Sequence, residues 1–222
     1  MHQYSHFVDG KESDLPLGKI VCVGRNYAAH ARELNNPLPT WPVLFIKPST
    51  ALAAIENEII VPTMLGECHF ETEMSLLIGK KLTNCGEDEA AGAIKGVGLS
   101  LDLTLRDVQQ GLKDKGLPWE KAKAFDGACP SSAFVSRAQV GDLQNQQIRL
   151  YKNGQLQQDG NTSDMLNPVI QLLAYISQYF TLLPGDIVLT GTPSGVGPLQ
   201  VGDKLVLELS DLIHCKGEVV PA

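Results

Sequence analysis

The sequence predicts a strand-dominated α+β fold with peripheral helices. Three observations carry this: short runs rich in Val, Ile and Leu recur along all 222 residues, turn signals separate them, and few stretches show a helical period. The runs fall at 20–23, 43–46, 58–61, 74–78, 97–103, 148–151, 187–190 and 205–209. Asn153-Gly154, Pro184-Gly185-Asp186 and Gly202-Asp203 mark turns, because each holds a residue tolerant of positive φ. Val169, Leu172, Leu173, Ile176 and Phe180 share one helical face behind Asn167-Pro168, and Leu105, Val108 and Leu112 share another. No repeat, linker or low-complexity tract interrupts the chain. A single domain over 1–222 is expected, with 1–16 a short leader.

A hydrophobic fraction of 43% allows a substantial core. Eighteen basic against 25 acidic side chains give a charge of -7 with no basic run, which argues against nucleic acid and anionic membrane as partners. No stretch has signal-peptide or membrane-spanning character, so the cytoplasm is the expected location. Cys22, Cys68, Cys85, Cys129 and Cys215 are an odd count without C-x-x-C spacing. They read as buried or incidental thiols of a reducing compartment.

The chemistry centres on His69-Phe70-Glu71-Thr72-Glu73-Met74. In an extended chain alternate residues share a face, so His69, Glu71 and Glu73 project one way and Phe70, Thr72 and Met74 the other. Asp102 falls opposite the leucines of the run 97–103. If the two strands are neighbours, three carboxylates converge. Like charges ~4 Å apart repel by about 4 kcal/mol at an effective dielectric of ~20, so the cluster would share protons or hold a cation. All-oxygen ligation with room for water suits Mg²⁺ or Mn²⁺ better than Zn²⁺. The plainer alternative is a strand with a solvated acidic face.

Arg106 and Gln109 lie three apart on the helix after Asp102, suited to clamp a carboxylate or simply to face solvent. Lys121 and Lys123, flanked by Trp119 and Phe125, offer an ammonium for a developing enolate, unless they are surface lysines. His30 and Glu33 have the spacing of a carboxylate-oriented base and equally of an ordinary helix pair. Pro37, Pro39 and Pro42 follow, as in a lid loop. The turn Thr190-Gly191-Thr192-Pro193-Ser194-Gly195-Val196-Gly197 lacks a P-loop ending. Its amides could cradle a carboxylate, or it is a plain tight turn.

Six stretches together resemble the fumarylacetoacetate hydrolase family, specifically its short acylpyruvase-like members. They are residues 21–27, 45–48 and 69–73, then 101–107, 118–123 and 189–197, and the resemblance spans about 17 to 220. It implies a mixed β-roll of that family's C-terminal domain type, and a homodimer. It also implies Mg²⁺ or Mn²⁺ on Glu71, Glu73 and Asp102, a catalytic Lys123, and a His30/Glu33 dyad. Arg106 and Gln109 correspond to its substrate-binding pair, and Arg25, Asn26 and Thr192 in the matching stretches complete the candidate set. Phe70 departs from the pattern, since many short members have a second histidine there.

The substrate expected on these grounds is a small 2-oxo acid or 1,3-dicarbonyl compound. The leading expectation is hydrolysis of a C–C bond in an acylpyruvate, with His30 activating water and Lys123 stabilising a pyruvate enolate. The alternative is oxaloacetate decarboxylation or keto-enol tautomerisation at the same site. Isomerisation or decarboxylation in aromatic catabolism is a further alternative, and a structural ion in a binding protein the non-enzymatic one. Each carboxylate is expected to be removable without loss of the fold, because removal relieves repulsion.

Overall fold

The structure, a computed structural model, describes residues 4–56 and 58–222. All eight expected strands form. The acidic run becomes Thr72–Ile78, central in an eight-stranded mixed sheet of order Val43–Lys47, Ile20–Gly24, Ile187–Leu189, Thr72–Ile78, Ile94–Leu101, Cys129–Ser131, Leu52–Ala54. Val135–Ser136 adds beside Ile94–Leu101. All seven residues of Thr72–Ile78 are buried, as a strand covered on both faces requires. The strand is antiparallel to Ile94–Leu101, with Thr72 opposite Leu101 and Glu73 opposite Ser100. The Asp102 N–H then donates to the Glu71 carbonyl at 2.8 Å, bringing the third carboxylate to the first two.

A second, five-stranded sheet runs Gln155–Asn161, Gln147–Lys152, Lys204–Leu209, Ile213–Pro221, Glu58–Val61. Its first hairpin turns at Asn153-Gly154, where φ values of 52° and 78° match the right-handed strand twist. Gln155–Asn161 is polar at every position but Leu156 and Gly160 and has no strand propensity of its own. Pairing through that turn makes it a strand. A small sheet joins Thr104–Leu105, Cys68–Phe70 and Gly197–Pro198.

The helices are Ala28–Glu33, Glu87–Ala93, Arg106–Asp114, Glu120–Lys123 and Val169–Tyr179. The last buries Val169, Leu172, Leu173 and Ile176 and packs on Glu87–Ala93. All five thiols are free, four of them buried. Among the described residues no helix is long and apolar enough to cross a membrane.

One expectation needs correcting. The chain changes sheet at Glu71, since Cys68–Phe70 pairs in the small sheet and Thr72–Ile78 in the large one. Alternation therefore does not carry across that residue. The His69 ring bonds Glu67 at 2.5 Å instead of sharing the surroundings of Glu71 and Glu73.

Candidate active site

Glu71, Glu73 and Asp102 are buried, and one carboxylate oxygen from each lies within 4.8 Å of the others. Three cations reach them. Lys123 Nζ donates to Glu71 Oε2 at 2.8 Å and to Asp102 Oδ2 at 2.6 Å. Arg106 Nη2 donates to Glu71 Oε1 at 2.5 Å, and Nη1 to Gln109 Oε1 at 2.9 Å. Lys47, wholly buried at the end of its strand, lies 2.8 Å from Asp102 Oδ1 and donates to the carbonyls of Leu103, Lys123 and Ala128.

The partners are unevenly shared. Burial alone would raise the Glu71 carboxyl, but Lys123, Arg106 and His30 outweigh it and hold it well below the usual carboxylate range. Glu73 has no cation bonded to it. Burial, then Asp102 and Glu71, push its carboxyl well above that range, although Lys123 and the Gly191 N–H, 2.5 Å away, oppose them. Burial works against the Lys123 ammonium, yet Asp102 and Glu71 keep it charged. Asp102 Oδ1 is buried without a hydrogen bond, although Lys47 Nζ lies 2.8 Å away. Converging oxygens, one of them unbonded, beside a carboxyl made basic by its neighbours, form a donor set that fits a hard divalent ion.

Of the eleven expected site residues, Arg25, His30, Glu71, Glu73, Arg106, Gln109, Lys123 and Thr192 line one cavity. Asp102 lies beneath, bonded to Lys123. Glu33 lies behind His30, whose Nδ1 is 3.5 Å from Glu33 Oε2 and makes no hydrogen bond. Asn26 is placed differently. Its side chain donates to the carbonyls of Thr190 and Asn167 and accepts from the Asn167 backbone N–H, so it ties the turn after Leu189 to the loop before Val169. Lys121, two residues from Lys123, is exposed.

The glycine-rich turn does cradle carboxylates, but they are the protein's own. Gly191 donates to Glu73, and Gly195 donates to both oxygens of Glu33 at 3.0 and 3.2 Å. Both glycines have positive φ, and a Cβ on Gly195 would stand 1.9 Å from the Gln157 carbonyl oxygen. Buried Gln158 bonds Thr192 at 2.8 Å and accepts the Thr72 N–H at 3.0 Å, joining this turn to the acidic strand. Sequence reasoning missed Gln158, which lies on a strand it did not see. It also gave Lys47 no role. Lys113 and Asn36, bonded to each other at 2.8 Å, also line the cavity and were not anticipated.

The family model for the C-terminal domain of fumarylacetoacetate (FAA) hydrolase matches residues 19–220. An oxaloacetate tautomerase of Escherichia coli (strain K12) is 49% identical over 208 residues, 93% of this chain and 94% of that protein. A solved structure of a fumarylacetoacetate hydrolase family protein from Yersinia pestis CO92 superposes with a TM-score of 0.96 at 48% identity, covering 98% of this chain and all of that one. Fumarylpyruvate hydrolase from Pseudomonas aeruginosa, solved with Mn²⁺ and pyruvate, gives a TM-score of 0.93 at 33% identity over 99% of this chain and 96% of its own. With a carboxylate triad that fits a divalent ion in the same strand framework, this chain belongs to the fumarylacetoacetate hydrolase family.

Proposed function

We propose that the protein is a Mg²⁺-dependent oxaloacetate keto-enol tautomerase. The observation that carries this is one cavity where two members of a carboxylate triad, a histidine and two bonded cations meet over the third carboxylate, in a chain 49% identical to an oxaloacetate tautomerase. A divalent ion on Glu71, Glu73 and Asp102 would supply Lewis acidity that makes the carbon beside a ketone easier to deprotonate. Arg106 and Gln109, bonded to each other, present a planar donor face to the carboxylate next to that ketone, and the Arg106 Nε is buried without a partner. His30 carries the proton between carbon and oxygen, oriented by Glu33. Lys123 places its positive charge where the enolate forms.

This replaces acylpyruvate hydrolysis as the leading reading. Hydrolysis stays as the second one, favoured by the His30–Glu33 approach and by the likeness to fumarylpyruvate hydrolase. Decay of enol-oxaloacetate absorbance, followed with Mg²⁺ or Mn²⁺ beside acetylpyruvate and fumarylpyruvate cleavage, separates the two. Acceleration of the enol decay alone supports tautomerisation, and cleavage without it supports hydrolysis. A cytoplasmic homodimer belongs to the same proposal, and light scattering that returns 24 kDa would refute the dimer.

A further inference from the structure

We propose that Lys113, with Arg25, forms a subsite for a second, distal carboxylate, so that the cavity selects dicarboxylic over monocarboxylic 2-oxo acids. This rests on the reading of the cavity as a 2-oxo acid site and goes on to name the substrate class. The charges lining the cavity do not balance. Arg25, Arg106, Lys113 and Lys123 face it against Glu71 and Glu73. Arg106 and Lys123 are already paired with carboxylates of the protein, Glu71 and Asp102. Arg25 and Lys113 are not. Among the described residues no carboxylate lies within ion-pair distance of either.

Both are held where they stand by local structure. Arg25 has φ of 60°, a left-handed conformation that costs a non-glycine residue about 1 kcal/mol or more, and it turns the chain from Ile20–Gly24 toward the helix that bears His30. Lys113 is in the last turn of Arg106–Asp114, where a cation suits the helix dipole, and its ammonium donates to neutral Asn36 Oδ1 at 2.8 Å. Burial, then Arg25 and Arg106, make that ammonium less basic, and Asp114 opposes them only weakly. Such crowding of like charge is relieved by an anion. A divalent ion on the triad would add to the surplus, and a dianion would offset more of it than a monoanion.

The competing account is that Lys113 only ties Asn36, and so the 34–42 loop, to the helix. Titration calorimetry on the full-length Mg²⁺-loaded protein separates the two with malate and lactate, 2-hydroxy acids that differ by the distal carboxylate. Wild type is expected to prefer malate. Lys113→Gln should weaken malate binding on the order of tenfold and lactate binding less than twofold, while Asn36→Ala keeps the preference. Equal losses for both ligands, no loss for malate, or no wild-type preference would overturn the subsite. If the malate preference depends on Lys113 but enol-oxaloacetate decay is not accelerated, the subsite stands and the tautomerase reading falls. If decay is accelerated without such a preference, the tautomerase reading stands and the subsite falls.

Discussion

The floor of the cavity and its mouth solve opposite electrostatic problems. On the floor, Glu71 and Asp102 meet Lys123, Arg106 and Lys47 in a largely buried network, and only Glu73 lacks a bonded cation. At the mouth, Arg25 and Lys113 are half-buried without counter-ions, and His30 Nδ1 has no hydrogen bond. Removing half of a buried ion network strands its partner, which costs stability, whereas a half-exposed cation is cheap to remove and matters mainly for recognition. The floor should therefore report on folding and metal binding, and the mouth on kinetics and specificity.

The largest effect should come from Asp102. Asp102→Ala leaves Lys47 fully buried and unpaired and takes one bond from Lys123, a loss of about 3–5 kcal/mol, with metal-dependent turnover abolished. Glu73→Gln should behave differently. It removes a carboxyl that its surroundings disfavour and keeps an acceptor for the Gly191 N–H, so the metal-free fold should hold while Mg²⁺ affinity drops. Thermal melting with and without Mg²⁺ measures both. Equal destabilisation by the two variants would break the distinction. Sequence alone treats the three carboxylates as interchangeable and mutually repulsive, and the cations packed around two of them undo that equivalence.

His30→Ala should lower oxaloacetate tautomerisation and any acylpyruvate hydrolysis by roughly 10²- to 10⁴-fold, the range of general-base catalysis. Decarboxylation of oxaloacetate should survive, because losing CO₂ needs charge stabilisation and no proton removal at carbon. Glu33→Gln should act in the same direction less strongly, since a carboxylate 3.5 Å from the imidazole would act on the base only through its orientation. Lys123→Ala should impair all three reactions. Steady-state rates for the three substrates decide this, and an undiminished rate in His30→Ala would reduce the pair to a helix-surface contact.

Legibility in the sequence follows the same division. Apolar runs foreshadow the strand Thr72–Ile78 but not its pairing with Ile94–Leu101, so from the residues the carboxylate triad is readable only on the condition that the two strands are neighbours. Lys47 and Gln158 are not, because each is a polar residue whose role comes from long-range contacts: Lys47 with Asp102 across 55 residues of chain, Gln158 with Thr72 across 86. The fate of the glycine-rich turn is equally hidden. Its amides look available for a ligand, yet Glu33, 162 residues away from Gly195, occupies one of them. Lys113 reads as one more surface lysine until the Arg106–Asp114 helix places it over the cavity.

The smallest effect sharpens the comparison from outside the cavity, through a second buried histidine. His6 is fully buried, edge-on to Tyr4 and Phe134 with ring centroids 5.4 and 5.9 Å away, and one ring nitrogen lies 3.1 Å from the Gly185 carbonyl oxygen. Burial lowers its pKa from the ordinary 6.5, against the opposing pull of the Gly185 and Pro16 carbonyls. The folded protein thus binds a proton at His6 less readily than the unfolded chain does. Its contribution to stability is complete above pH 6.5 and is lost as the pH falls toward the lowered value, because the unfolded state takes up the proton first. His6→Gln, which keeps a donor for Gly185 and does not titrate, should therefore lose less melting temperature than wild type between about pH 7 and about pH 5.5. Parallel curves for the two proteins would show that burial of His6 is not felt in that window, leaving the carboxylate floor as the source of any acid sensitivity.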